Sequence, residues 1–111
     1  MNNLDLYCVT NKKLEFLENT DLKLAAVGKE KFSNRYLRCD NKINIYEKEK
    51  HYSELTFHYW YWKNCLMKEK KDWIGFCQKR RFWIKPEKNK NIININNLNN
   101  FLIDKIDNSL E

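Results

Sequence analysis

The chain has 111 residues, which fits one domain or part of one. Its 42% hydrophobic and 14% aromatic content excludes a disordered chain, although 32% of its residues are charged. The net charge of +6, from 21 basic and 15 acidic residues, admits a polyanionic partner, but much of the lysine and asparagine excess shows no local pattern.

Leu4 to Thr10 (LDLYCVT) is a short apolar run of strand formers stopped by Asn11, Lys12 and Lys13, and reads as a first, central strand. KKLEFLENT leaves room for one or two helical turns. A second buried strand comes next in LKLAAVG, closed by Gly28, one of only two glycines. From Lys29 to Lys50 the chain is polar and irregular, and Asp40, Asn41 and Asn44 give it loop chemistry.

The texture changes at His51. The stretch to Lys70 predicts a helix of about five turns with Tyr52 or Ser53 near its start and Lys68, Lys70 and Lys71 at its end. Leu55, Tyr59, Trp62 and Leu66 share one face, while Phe57, Trp60 and Tyr61 make the other faces apolar, so burial on more than one side is expected. DWIGFC then reads as a strand, and Pro86 interrupts the chain beyond it. Residues 88–100 read as a Lys/Asn-rich linker. Leu98, Phe101, Leu102, Ile106 and Leu110 outline an amphipathic helix in need of a partner surface. Strand, short helix, strand, loop, long helix, strand favours an α/β sandwich with a largely parallel sheet.

Cys8, Cys39, Cys65 and Cys77 form no C-x-x-C pair, which argues against a zinc ribbon or thiol redox site. They read as small buried side chains. The opening MNNLDLYCVTNKK has no leader pattern and no apolar run approaches spanning length, so a cytoplasmic, reduced setting is expected, with peripheral contact with an inner membrane left open.

Two stretches, DNKINIYEKEKHYSELTFHYWYWKN and IGFCQKRRFW, go beyond pattern. Together they resemble the bacterial capsular and surface-polysaccharide glycosyltransferases catalogued as domain-of-unknown-function family 4422. The matching positions are Asp40 and Asn41, Asn44 and Ile45, Glu54 to Thr56, Tyr59 to Asn64, and Gly75 to Phe82. YCVTNKK is similar to the family's first strand, so the resemblance runs from Leu4 to Ile84. Asn11 and Gln78 stand where the family usually has histidine, Lys79 replaces a tyrosine, and the glycine expected after Asn41 is missing.

The resemblance implies a partial Rossmann-like fold of the GT-A type, a mostly parallel sheet with flanking helices. Residues 1–86 would be the nucleotide-sugar side of a longer enzyme, with 87–111 a linker and amphipathic helix. It implies transfer of a sugar from a nucleotide-diphospho-sugar to a glycan or lipid-linked glycan. In GT-A sheets the strand after the long helix ends in a metal-holding Asp-x-Asp; here Gln78, Lys79 and Arg80 take that address, so no metal or other cofactor is expected. Fixed cations stabilise a leaving diphosphate as a metal does, each pair contributing about 4 kcal/mol at ~4 Å before desolvation.

By strand alternation Arg80 shares the face of Gln78 and is the expected contact, and Arg81 joins it only if the strand ends in a turn. The same cations also fit a solvated strand end. Gln78, Arg80 and Glu54 are the candidate catalytic residues, Glu54 either as base or as the carboxylate that orients the Asp40 loop. Thr10, Asn11, Asp40, Asn41, Asn44, Lys63, Arg80 and Arg81 are candidates for donor binding. For Asp40, Asn41 and Asn44, hydrogen bonds to their own backbone are an equal alternative. Trp60 and Trp62 with Lys63 and Asn64 offer a sugar-stacking face or, alternatively, core packing and satisfaction of loop carbonyls. His51, Glu54 and His58 share a helix face, but no third histidine completes a metal set.

No nucleic-acid partner is expected. The rival is nonetheless a small basic module for single-stranded nucleic acid, because CQKRRFWIKPEKNK mixes cations with aromatics.

Overall fold

The structure, a computed structural model, describes residues 4–68, 71 and 73–106. Four strands form one sheet: β1 (Leu4–Thr10), β2 (Lys23–Ala26), β3 (Tyr36–Arg38) and β4 (Trp73–Gln78). Their spatial order is β3-β2-β1-β4 and every pairing is parallel, as the α/β reading requires. β1 is central, as its apolar run predicts, because a parallel strand flanked on both edges is also covered on both faces. β3 lies inside the segment read as loop; three residues with a single buried one, Tyr36, leave too short a pattern to recognise.

Alternation along β1 sends successive side chains to opposite faces and so builds two cores. Cys8 joins Leu24, Ala26 and Cys77 on one face, under Leu17 of the short helix α1 (Glu15–Glu18). Tyr7 and Val9 join Ala25 and Val27 on the other, under Phe57, Trp60 and Tyr61. Gly75 is pinned by this packing: a Cβ there would lie 2.4 Å from Leu6 Cδ2, its neighbour in register across β1.

The expected long helix is broken. α2 (Glu49–Tyr52) ends at Ser53, whose φ of 47° is left-handed, and α3 (Leu55–Asn64) starts afresh. The Ser53 N–H closes α2 on the Glu49 carbonyl at 2.8 Å, and the Ser53 carbonyl accepts from Thr56 N at 3.1 Å, so both sides of the kink are bonded. No Gly or Pro announces it. Thr56 and Phe57 are wholly buried, which ties the new helix start down onto the sheet. Of the lysines expected at the helix end, Lys70 lies outside the described residues.

The tail departs furthest from expectation. Where a linker and an amphipathic helix are expected, its described residues form a 3-10 turn at Lys90–Ile92 and a single α-helical turn, α4 (Leu98–Phe101), with Leu98 and Leu102 buried against the Cys8 face. Leu102 then turns extended, and residues 83–85 bond to 101–103, with Lys85 N donating to the Phe101 carbonyl at 2.7 Å and Ile103 N to that of Trp83 at 3.1 Å. The asparagines ahead of it are turn-formers: Asn89, Asn94 and Asn97 side chains each accept from a nearby backbone N–H, and Asn99 accepts from Asp21 N at 2.8 Å. Leu110 lies outside the described residues. Among the described residues no helix is long and apolar enough to cross a membrane.

Candidate functional site

From β1 the chain steps outward through β2 to β3, then returns to place β4 on the other side of β1. That reversal opens a crevice at the carboxyl ends of β1 and β4, the place where open α/β sheets take their ligands. A cleft of about 140 Å³ lies there. Thr10 and Asn11 enter it from β1, Gln78 and Lys79 from β4, and Glu49, Ser53 and Glu54 from the kink between α2 and α3.

Two hydrogen bonds cross this cleft. Gln78 Nε2 donates to Glu54 Oε1 at 2.8 Å, joining strand to kink, and Lys79 Nζ donates to Asn11 Oδ1 at 2.7 Å, joining β4 to β1. Thr10, 2% exposed, uses its hydroxyl to donate to the Lys12 carbonyl at 2.8 Å and to accept from Lys12 N at 3.0 Å, which shapes the loop leaving β1. Gly28, at φ 86°, closes β2 beside the cleft, and a Cβ there would sit 3.4 Å from Glu49 Oε1. Two carboxylates, one ammonium, two amides and two hydroxyls thus converge, a set with the chemistry to hydrogen-bond hydroxyl groups through the acids and amides and to meet an anion through Lys79.

The expected alternation of the basic strand end does not hold. β4 stops at Gln78, and Gln78 and Arg81 exchange backbone bonds of 3.1 Å around a tight turn, so Lys79 rather than Arg80 enters the cleft. Arg80 and Arg81 are exposed on the turn itself. Of the residues singled out in the sequence, Thr10, Asn11, Glu54 and Gln78 line this cleft, as does Lys79, which the sequence offers only as one of three cations. Ser53 carries a helix-start signal, whereas Glu49, in the run EKEK, has no signal to separate it from a solvated face.

The Asp40 loop is built separately. Asp40 pairs with Arg38 at 3.4 Å, whose guanidinium also donates to Tyr46 Oη at 2.9 Å. Tyr46 Oη donates onward to the Gly28 carbonyl. Asn44 Nδ2 donates to the Asn41 and Lys42 carbonyls, and Asn44 Oδ1 accepts from Tyr46 N, so Asn44 makes the local turn bonds. Trp60 Nε1 donates to the Asn41 carbonyl at 3.1 Å, while Asn64 Nδ2 donates to the Ile43 carbonyl at 2.8 Å and its Oδ1 accepts from Ile43 N. Trp60 and Asn64 therefore hold this loop, and Asp40, Asn41 and Asn44 do not line the cleft.

The two tryptophans of the expected stacking face are divided. Trp60 is buried at 5% exposure, whereas Trp62 is 56% exposed with Lys63 Nζ 3.9 Å above its ring. Lys63 therefore belongs to the outer surface of α3. Burial lowers the pKa of His58, opposed by the nearby Glu54 carboxylate, and its ring packs 4.4 Å from that of Phe76. Among the described residues no group of three or more His, Cys, Asp or Glu comes together as a metal cage.

Cys8, Cys39 and Cys77 are buried, Cys65 is partly so, and none is in a disulfide. The Cys77 contact and burial raise the Cys8 pKa well above the thiol range, and burial pushes Cys39 up to about 12. Both therefore stay protonated and packed rather than nucleophilic.

No curated protein and no solved structure matches the chain. One family model does, from residue 5 to residue 108, and so takes in the packed tail as well as the sheet. With nearly its whole length inside that match, the chain belongs to DUF4422, a domain of unknown function.

Proposed function

We propose that the chain forms the nucleotide-sugar side of a glycosyltransferase that moves a sugar from a nucleoside-diphosphate donor to a glycan acceptor. The observation that carries this is the polar cleft at the β1/β4 reversal, where a parallel sheet presents Lys79 beside Asn11, Gln78 and Glu54. In this role the Lys79 ammonium meets the negative charge that grows on the departing diphosphate. Arg80 and Arg81, on the adjoining turn, are the next candidates for phosphate contact. Glu54, oriented by Gln78, is the candidate base for the acceptor hydroxyl, and Asn11 and Ser53 are hydrogen-bonding groups for donor hydroxyls.

At the strand end where GT-A enzymes hold a divalent ion, Gln78 offers one amide oxygen and Lys79 and Arg80 offer no lone pair, which supports a reading in which the cations take the metal's part.

The test is a thermal-shift and calorimetric screen of nucleotide sugars with and without manganese. Metal-independent stabilisation is expected, and Lys79→Ala should weaken donor binding about ten- to a hundredfold, the range for a charge-assisted hydrogen bond. Arg80→Ala should weaken it less. Strict manganese dependence, or no loss in Lys79→Ala, would overturn the role given to Lys79. Silence towards every nucleotide sugar, with salt-sensitive binding of oligonucleotides, would favour a nucleic-acid module instead.

A further inference from the structure

α3 is apolar all round, yet the sheet covers only one of its sides: Thr56, Phe57, Trp60 and Tyr61 are buried. On its outer side Leu55 and Trp62 are 53% and 56% exposed with half-buried Tyr59 between them, and Tyr52 at the end of α2 and Leu66 just past α3 are 45% and 47% exposed. Leu55, Tyr59 and Trp62, four and three residues apart, share one face of α3. Met67, 96% exposed, and Ile43, 54% exposed, extend it at one end, since Asn64 ties Ile43 to the helix. Exposed apolar side chains gathered in this way mark an interaction surface.

Charge tells which partner. Lys63 is the one charged residue of α3 and stands over Trp62 and Tyr59, 3.9 and 5.8 Å from their ring centroids. Lys42 precedes Ile43 and Lys68 comes after Met67. Among the described residues the acids beside this stretch in the chain are engaged elsewhere: Glu49 and Glu54 line the cleft, and Asp40 pairs with Arg38 at 3.4 Å. A second copy paired through a two-fold axis would set Lys63 against the same cationic face. Ten residues of α3 also fall short of the roughly three heptads of a coiled coil. An anionic bilayer meets both conditions, because Trp and Tyr settle at the headgroup boundary and lysines gain from lipid phosphate.

We propose that the outer face of α3 is a membrane-contact surface, with Leu55, Tyr59, Trp62, Leu66 and Met67 entering the headgroup layer and Lys42, Lys63 and Lys68 meeting its phosphates. It is independent of the sugar-transfer proposal. The test is co-sedimentation of the full chain with vesicles of phosphatidylglycerol and phosphatidylcholine in equal parts, against phosphatidylcholine alone, with Trp fluorescence as a second readout. Binding to the anionic vesicles, weakened by salt, is expected. The double substitution Leu55→Ser and Trp62→Ser should cut it about tenfold or more, while Ile95→Ser, at an exposed apolar site elsewhere, should leave it unchanged.

All three side chains are exposed, so the variants should keep the parent's circular dichroism and melting profile. No binding to anionic vesicles, or equal binding by the double variant, would overturn the proposal. So would a dimer in sedimentation equilibrium that the double variant disperses without any vesicle binding, which would assign the face to a second copy.

Discussion

His58 links stability to pH. Burial lowers its pKa below the ordinary 6.5, so the folded chain favours the neutral ring while the unfolded chain takes up a proton near 6.5. The stability contributed by neutral His58 is therefore fully present above pH 6.5 and is lost as pH falls through the lower folded value. Urea unfolding from about pH 8 to about pH 5 should show stability falling on acidification, and His58→Gln should lose less of it over the same window. Equal slopes would remove His58 from the acid response.

At this scale strand ends are more legible in the sequence than turns. Thr10, Asn11 and Gln78 can be read because parallel strands deliver their carboxyl-end residues to one edge, whatever the loops do. Lys79 escapes the same logic because alternation ends one residue earlier than expected, in a turn with neither Gly nor Pro to mark it. Lys42, next to Asn41, occupies the left-handed region that favours glycine, at φ 53°, at a cost of about 1–2 kcal/mol that the Trp60 and Asn64 bonds to the loop offset.

Among the elements, α3 fastens the sheet to the cleft. Phe57 is fully buried, with ring centroids of Tyr7, Trp60, Tyr61 and Phe76 all between 5.5 and 6.2 Å away. Phe57→Ala should cost about 3–5 kcal/mol, and chemical denaturation would measure it. A loss under about 1 kcal/mol would mean that the aromatic cluster collapses around the gap. The helix itself is legible from its aromatic run, but its kink is not: Ser53 takes a left-handed conformation just ahead of Thr56 and Phe57, which are buried against the sheet, and no local pattern displays that tertiary packing.

For the molecule as a whole, the tail decides where the domain ends. Leu98 is 6% exposed and packs with Cys8, Leu17 and Leu24, so Leu98→Ala should destabilise the entire fold by about 2–5 kcal/mol. Ile95→Ala, at 61% exposure, should change stability by no more than about 0.5 kcal/mol. If both prove equally mild in thermal melts, the tail is not part of the cooperative unit. Its composition hides this, because Lys and Asn outnumber the few apolar residues; the asparagines read as low complexity but serve as turn bonds beside Ile93, Leu98 and Leu102.

The place of β4 beside β1 also sets an order of events. β1 finds β2 soon after both are made, but its other edge must wait for β4, and the Lys79 to Asn11 bond closes a separation of 68 residues. Such long-range parallel pairing slows folding, since the entropy of closing the loop is lost before the contacts are gained. During synthesis the strand that carries Tyr7 and Val9 therefore stands with one bare edge until most of the chain has emerged. In that interval the nascent protein is most exposed to misassociation and to chaperone capture.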